Sequence, residues 1–152
     1  MKNSFLLSLS FLIATPVYAD KVLVTSSAPS SYETECASCH MAYPPGLLGT
    51  KNWQNIMSGL GKHFGTDASL DAKTQTEISN WLIKNAGTKQ QFSALAPDNR
   101  ITKSTWFVRE HDELRAEVWK RIGVKSPSNC MACHQDASSG GFKERNIKVP
   151  AK

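Results

Sequence analysis

Only four cysteines and four histidines occur among the 152 residues, so each needs an explanation. Beyond the N-terminus no stretch approaches the roughly 20 apolar residues of a membrane span, which excludes a later transmembrane helix. No run of lysine or arginine is present, so the net charge of +5 gives little support to nucleic-acid binding. No alternation of apolar and polar residues reaches strand length. What remains is 40% hydrophobic and 20% charged, with four tryptophans and six phenylalanines. That is too apolar for a disordered chain and points to one domain or two small ones.

The first residues read as a processing signal. Lys2 supplies a positive end, residues 5–14 are almost wholly apolar, and Val17-Tyr18-Ala19 places small residues where a signal peptidase reads. The pattern predicts a signal peptide over 1–19, cleavage after Ala19 and export to the periplasm. The mature chain then starts at Asp20, has 133 residues and carries a charge of +4.

In an oxidising compartment four cysteines usually suggest two disulfides. Their arrangement argues otherwise. Both pairs are CxxC, and histidine follows each at once: Cys36-Ala37-Ser38-Cys39-His40 and Cys130-Met131-Ala132-Cys133-His134. CxxCH is the attachment motif of c-type haem. The two thiols add to the two vinyl groups of one porphyrin, and the adjacent imidazole binds the iron. Local disulfides or a zinc site are the alternatives, and neither accounts for the histidine after each pair. Two covalently bound haem c groups are therefore expected, on Cys36 and Cys39 and on Cys130 and Cys133, with His40 and His134 as proximal ligands.

The remaining two histidines, His63 and His111, match the need for one distal ligand per iron. Proximity along the chain assigns His63 to the first haem and His111 to the second; a crossed arrangement remains open. Met57 is the competing sixth ligand, but it lies on the apolar stripe Trp53, Ile56, Met57, Leu60, where core packing explains it.

The rest of the chain reads as helices and loops. A short helix is predicted over 32–39 and broken by Tyr43-Pro44-Pro45-Gly46, with a proline carbonyl available to accept the Nδ1 hydrogen of His40. A helix over 51–64 carries His63 near its end. The next runs to about Asn85, capped by Asp67, Ser69 or Asp71 and stopped at Gly87. Residues 88–101 look like a boundary. One long helix is predicted over 105–122 on the stripe Leu114, Val118, Trp119, Ile122, and Ser126-Pro127 starts the helix that holds the second motif. Arg100, Lys103, Arg109, Arg115 and Arg121 are candidates for propionate contacts or solvated helix faces. The mature chain offers about 65 residues per haem, too few for an ordinary core, so the macrocycles must supply much of the apolar contact.

Several runs carry a wider resemblance. They are His40-Met41-Ala42-Tyr43-Pro44-Pro45-Gly46-Leu47-Leu48, His63-Phe64-Gly65-Thr66-Asp67-Ala68-Ser69-Leu70-Asp71, Trp106-Phe107-Val108-Arg109-Glu110-His111 and Asn129-Cys130-Met131-Ala132-Cys133-His134. In these the chain resembles the dihaem cytochromes c of bacterial periplasms. The resemblance implies an all-α protein of two haem lobes, here 20–96 and 97–152. The first lobe is similar to soluble cytochromes c and the second is less regular. It also implies bis-histidine irons, His40 and His63 on one and His134 and His111 on the other. The implied partners are a small soluble monohaem cytochrome that binds oxygen and a membrane cytochrome b. The expected role is electron transfer by a monomer in transient complexes, with no catalytic residues and no membrane insertion. A dihaem peroxidase or reductase subunit, or a haem-based sensor, is the alternative. Either needs an iron that is open or can be opened.

Overall fold

The computed structural model describes residues 27–151. The expected signal peptide and its cleavage point lie outside them. Among the described residues six α-helices form: α1 (Ser30–Cys36), α2 (Thr50–Ser58), α3 (Ala72–Lys84), α4 (Gln90–Ser93), α5 (Thr105–Glu110) and α6 (Ala116–Trp119). Short 3₁₀ turns fill the gaps, and no strand occurs among the described residues. None of the described helices is long and apolar enough to cross a membrane.

Local chemistry explains most helix ends. α1 starts directly after Pro29, whose fixed φ suits the residue before a first turn, and it ends at Cys36 itself. Of the three candidate caps for α3, Asp71 takes the role: its carboxylate accepts from the N–H groups of Lys73 and Thr74, both at 3.0 Å. Ser104 caps α5 through Phe107 N–H at 3.3 Å.

The main core lies between α1, α2 and α3. Trp53 and Met57 from α2 face Ile78 and Leu82 from α3, with Tyr32, Leu48 and Ala96 closing the cluster. Ile78 and Leu82 are fully buried, each worth about 2 kcal/mol by area. Met57 thus sits in the core, where its stripe places it. The segment after α4 packs back on this core. Asn52 accepts the Ala96 N–H, Asn55 donates to Asn99 at 3.0 Å, and Ile101 lies against the cluster.

The second half is less regular. Phe107, Val118, Val124, Cys133 and Ala137 are buried but lie outside that cluster. The single helix predicted over 105–122 is split. In an unbroken helix the Phe107 carbonyl would accept the His111 N–H. Instead it bonds the His111 ring Nδ1 at 2.8 Å, and the backbone N–H turns to Val108 at 3.4 Å. The helix ends there. The predicted stripe fails with it: Val118 is buried, whereas Ile122 is 91% exposed. The second motif sits on a 3₁₀ turn, Cys130–Ala132, rather than on a helix begun at Pro127. Similarly, the helix predicted over 51–64 stops at Ser58 and continues only as the 3₁₀ turn Leu60–Lys62.

Gly87 does more than end a helix, since Asn85 already caps α3. Its N–H donates to Leu48 at 2.8 Å, and a Cβ there would lie 2.5 Å from Phe92 Cβ and 2.6 Å from the Gly46 carbonyl oxygen. Gly87→Ala is expected to lower stability by about 1–3 kcal/mol through this overpacking, measured as a fall in Tm of the holoprotein.

Candidate haem-binding site

The first motif joins the end of α1 to an extended turn. Cys36 closes the helix, Cys39 and His40 follow, and the His40 ring packs on Tyr43 with centroids 4.8 Å apart. The Met41 carbonyl lies 2.7 Å from His40 Nδ1, so it takes the place expected for a proline carbonyl. Both proline carbonyls are occupied: Pro44 accepts from Leu47 N–H, and Pro45 accepts from Leu48 N–H and the Trp53 indole.

His63 follows the 3₁₀ turn after α2 and opens a tight turn closed by Thr66 N–H to the His63 carbonyl at 3.0 Å. Both central residues are left-handed, Phe64 at φ 51° and Gly65 at φ 105°, which is the pattern of a type I′ turn. Glycine takes this freely; phenylalanine does so at a cost of about 1–3 kcal/mol. The Phe64 ring lies 4.7 Å from the His63 ring and carries the Arg100 guanidinium 4.2 Å from its centroid.

The structure brings His63 to His40, with ring centroids 6.2 Å apart and planes inclined by 31°. It brings His111 to His134, with centroids 6.1 Å apart and planes at 78°. A metal with nitrogen bonds of about 2 Å on each side, with the ring radii added, sets two centroids about 6 Å apart. Both pairs therefore fit an iron between them.

The second pair has its own frame. Phe107 stacks on His111 at 4.1 Å and 20°, Trp119 flanks it at 5.8 Å, and Phe142 packs on His134 at 5.2 Å. His134 Nδ1 is buried without a partner, whereas His111 has the Phe107 carbonyl. The tail folds over this motif: Lys148 N–H donates to the Cys133 carbonyl at 3.0 Å, and Arg121 donates to the Pro150 carbonyl at 2.6 Å.

The alternatives to haem fare poorly on chemistry. No disulfide joins any of the four cysteines. No cluster of three or more metal-donor side chains occurs among the described residues. Of the basic candidates, Lys103 and Arg109 are taken by exposed pairs with Asp98 and Glu110, while Arg115 and Arg121 line one recess with Val118. Sequence reasoning treated Tyr43 only as part of a helix break. Its ring contact with His40 had no signal beyond the three-residue spacing.

Over residues 32–142 the chain matches the family described as dihaem cytochrome c. The solved structure of a dihaem cytochrome type c from Shewanella baltica OS155 is 36% identical. It superposes with a TM-score of 0.71 over 80% of this chain and 93% of that one. A dihaem cytochrome c from Rhodobacter sphaeroides is 38% identical, with a TM-score of 0.66 over 75% of this chain and 96% of that one. No curated protein sequence matches.

Burial holds the His63 and His134 imidazoles below the usual 6.5, and the histidine opposite pushes each the same way. The folded chain then binds fewer protons than the unfolded chain just below pH 6.5, so its stability falls as pH drops through that value. Denaturant unfolding from neutral to mildly acidic pH is expected to show the midpoint declining. A flat or rising midpoint would contradict this protonation state.

Proposed function

This chain belongs to the dihaem cytochrome c family, with two haem c groups and four cysteines for their attachment, and we propose that it is an electron carrier with both irons closed by histidine. The observation that carries this reading is the pair of imidazole separations, 6.2 Å and 6.1 Å. In this reading His40 and His63 ligate the iron held at Cys36 and Cys39. His134 and His111 ligate the iron held at Cys130 and Cys133. The haem supplies a one-electron iron couple. The protein's own work is to hold each imidazole in place, to shield the iron with Phe64, Phe107, Trp119 and Phe142, and to keep water and substrates from a sixth position.

Function follows from closure. With both axial positions filled there is no seat for peroxide or another substrate, so the chain transfers electrons and does not turn over a substrate. Absence of an axial methionine places both potentials below those of His/Met cytochromes. The N-terminal pattern supports export to the periplasm, with Asp20 as the first mature residue. There the protein passes electrons from a membrane cytochrome b to a small soluble monohaem cytochrome through small, short-lived interfaces. Two ferric bis-imidazole haems take the mature charge of +4 to about +2, and full reduction takes it to about zero.

The two ligand geometries give a spectroscopic test. Imidazole planes near 78° leave two iron d orbitals almost degenerate, whereas planes at 31° split them. Low-temperature EPR of the oxidised holoprotein is expected to show two low-spin species, one strongly anisotropic and one ordinary rhombic. The near-infrared spectrum is expected to lack a methionine-to-iron band. A high-spin signal would open one iron and bring the enzyme and sensor readings forward.

A further inference from the structure

Two attachment sites on one chain must be held in a fixed relation if electrons are to pass between them. Several described contacts cross the chain's two halves. Asn52 and Asn55 meet Asn99, Phe92 packs on Trp106, the Trp106 indole donates to the Leu47 carbonyl at 3.2 Å, and Arg100 sits over Phe64 beside His63. None of these lies beside both CxxCH motifs. One contact does. The Tyr43 hydroxyl donates to the Ser128 carbonyl at 2.8 Å, across 85 positions of sequence. That carbonyl oxygen lies 3.7 Å from the Cys130 sulfur. At its other end the Tyr43 ring packs on the His40 ring at 4.8 Å.

Tyr43 is also fixed from behind. The Tyr32 hydroxyl donates to the Tyr43 carbonyl at 2.6 Å, and Tyr32 lies on α1, the helix that ends in Cys36. One half-buried residue therefore touches the histidine of the first motif with its ring, is tied through its backbone carbonyl to the helix carrying that motif's first cysteine, and reaches with its hydroxyl the loop carrying the first cysteine of the second.

We propose that Tyr43 is the positioning residue between the two haems: it sets their relation and forms a contact route between them, from the His40 ring through the Tyr43 ring and hydroxyl to the Ser128 carbonyl and the backbone leading to Cys130. This rests on the two-haem carrier reading. The step it serves is one-electron exchange. One electron leaves a ferrous iron, which becomes ferric, and arrives at a ferric iron, which becomes ferrous. No bond forms or breaks, no proton moves, and Tyr43 remains a neutral phenol throughout. Coupling falls steeply across empty space and far less across bonded contacts, so the hydroxyl matters beyond its contribution to packing.

Tyr43→Phe keeps the ring on His40 and removes only the hydroxyl. Trp106→Phe removes a different contact between the same halves and serves as the control. Intramolecular electron exchange is measured after photochemical injection of one electron into the oxidised holoprotein. Hydrogen exchange of the amides over 128–132 is measured in parallel. The expected result is exchange slowed several-fold in Tyr43→Phe with faster hydrogen exchange over 128–132, and a near-native exchange rate in Trp106→Phe. A native rate in Tyr43→Phe would overturn the bridge. Equal slowing in both variants would also overturn it, because general loosening of the two halves would then explain the effect. If the wild-type protein shows no exchange between its haems, the carrier reading fails and the bridge falls with it.

Discussion

Holding two pairs of imidazoles with centroids about 6 Å apart, His40 with His63 and His111 with His134, is the constraint on which the rest of the structure depends. The two rings of a pair cannot come from one short helix. Each needs a second backbone segment fixed relative to the first. His40 follows α1 and His63 follows α2, so both rings are carried by the core of α1, α2 and α3, the most regular part of the molecule. His111 and His134 have no such core between them. A stack of aromatic rings, a 3₁₀ turn and the folded-back tail do the same work there.

The two sites meet the constraint with different means. At the first, the proximal ring has the backbone acceptor, Met41, and the distal ring stands on a tight turn under Phe64. At the second, the distal ring has the acceptor, and that same hydrogen bond ends α5. The carbonyl a helix would have used is given to the imidazole instead. Helix length is traded for a fixed imidazole.

Much of this was readable in advance. The CxxCH motifs and the count of four histidines name the residues that the structure gathers into two pairs. Asp71 as a cap and the α2 stripe of Trp53 and Met57 follow from local rules. The break at His111 does not, because helical spacing continues through it. It arises from competition for one carbonyl, which periodicity cannot register. The place of Ile122 on that stripe fails for the same reason: the stripe exists only if the helix does. Tyr43 was hidden differently. Its partner Ser128 is 85 positions away, and nothing in a single sequence links them. The Phe64 turn was also out of reach, since a bulky residue with left-handed backbone runs against propensity.

The tail gives the second site a dependence that the first does not have. Lys148 N–H holds the Cys133 carbonyl, and the Arg121 guanidinium holds the Pro150 carbonyl. Loss of these two contacts would release the tail from the second motif, whereas the first motif is anchored through α1 to the main core.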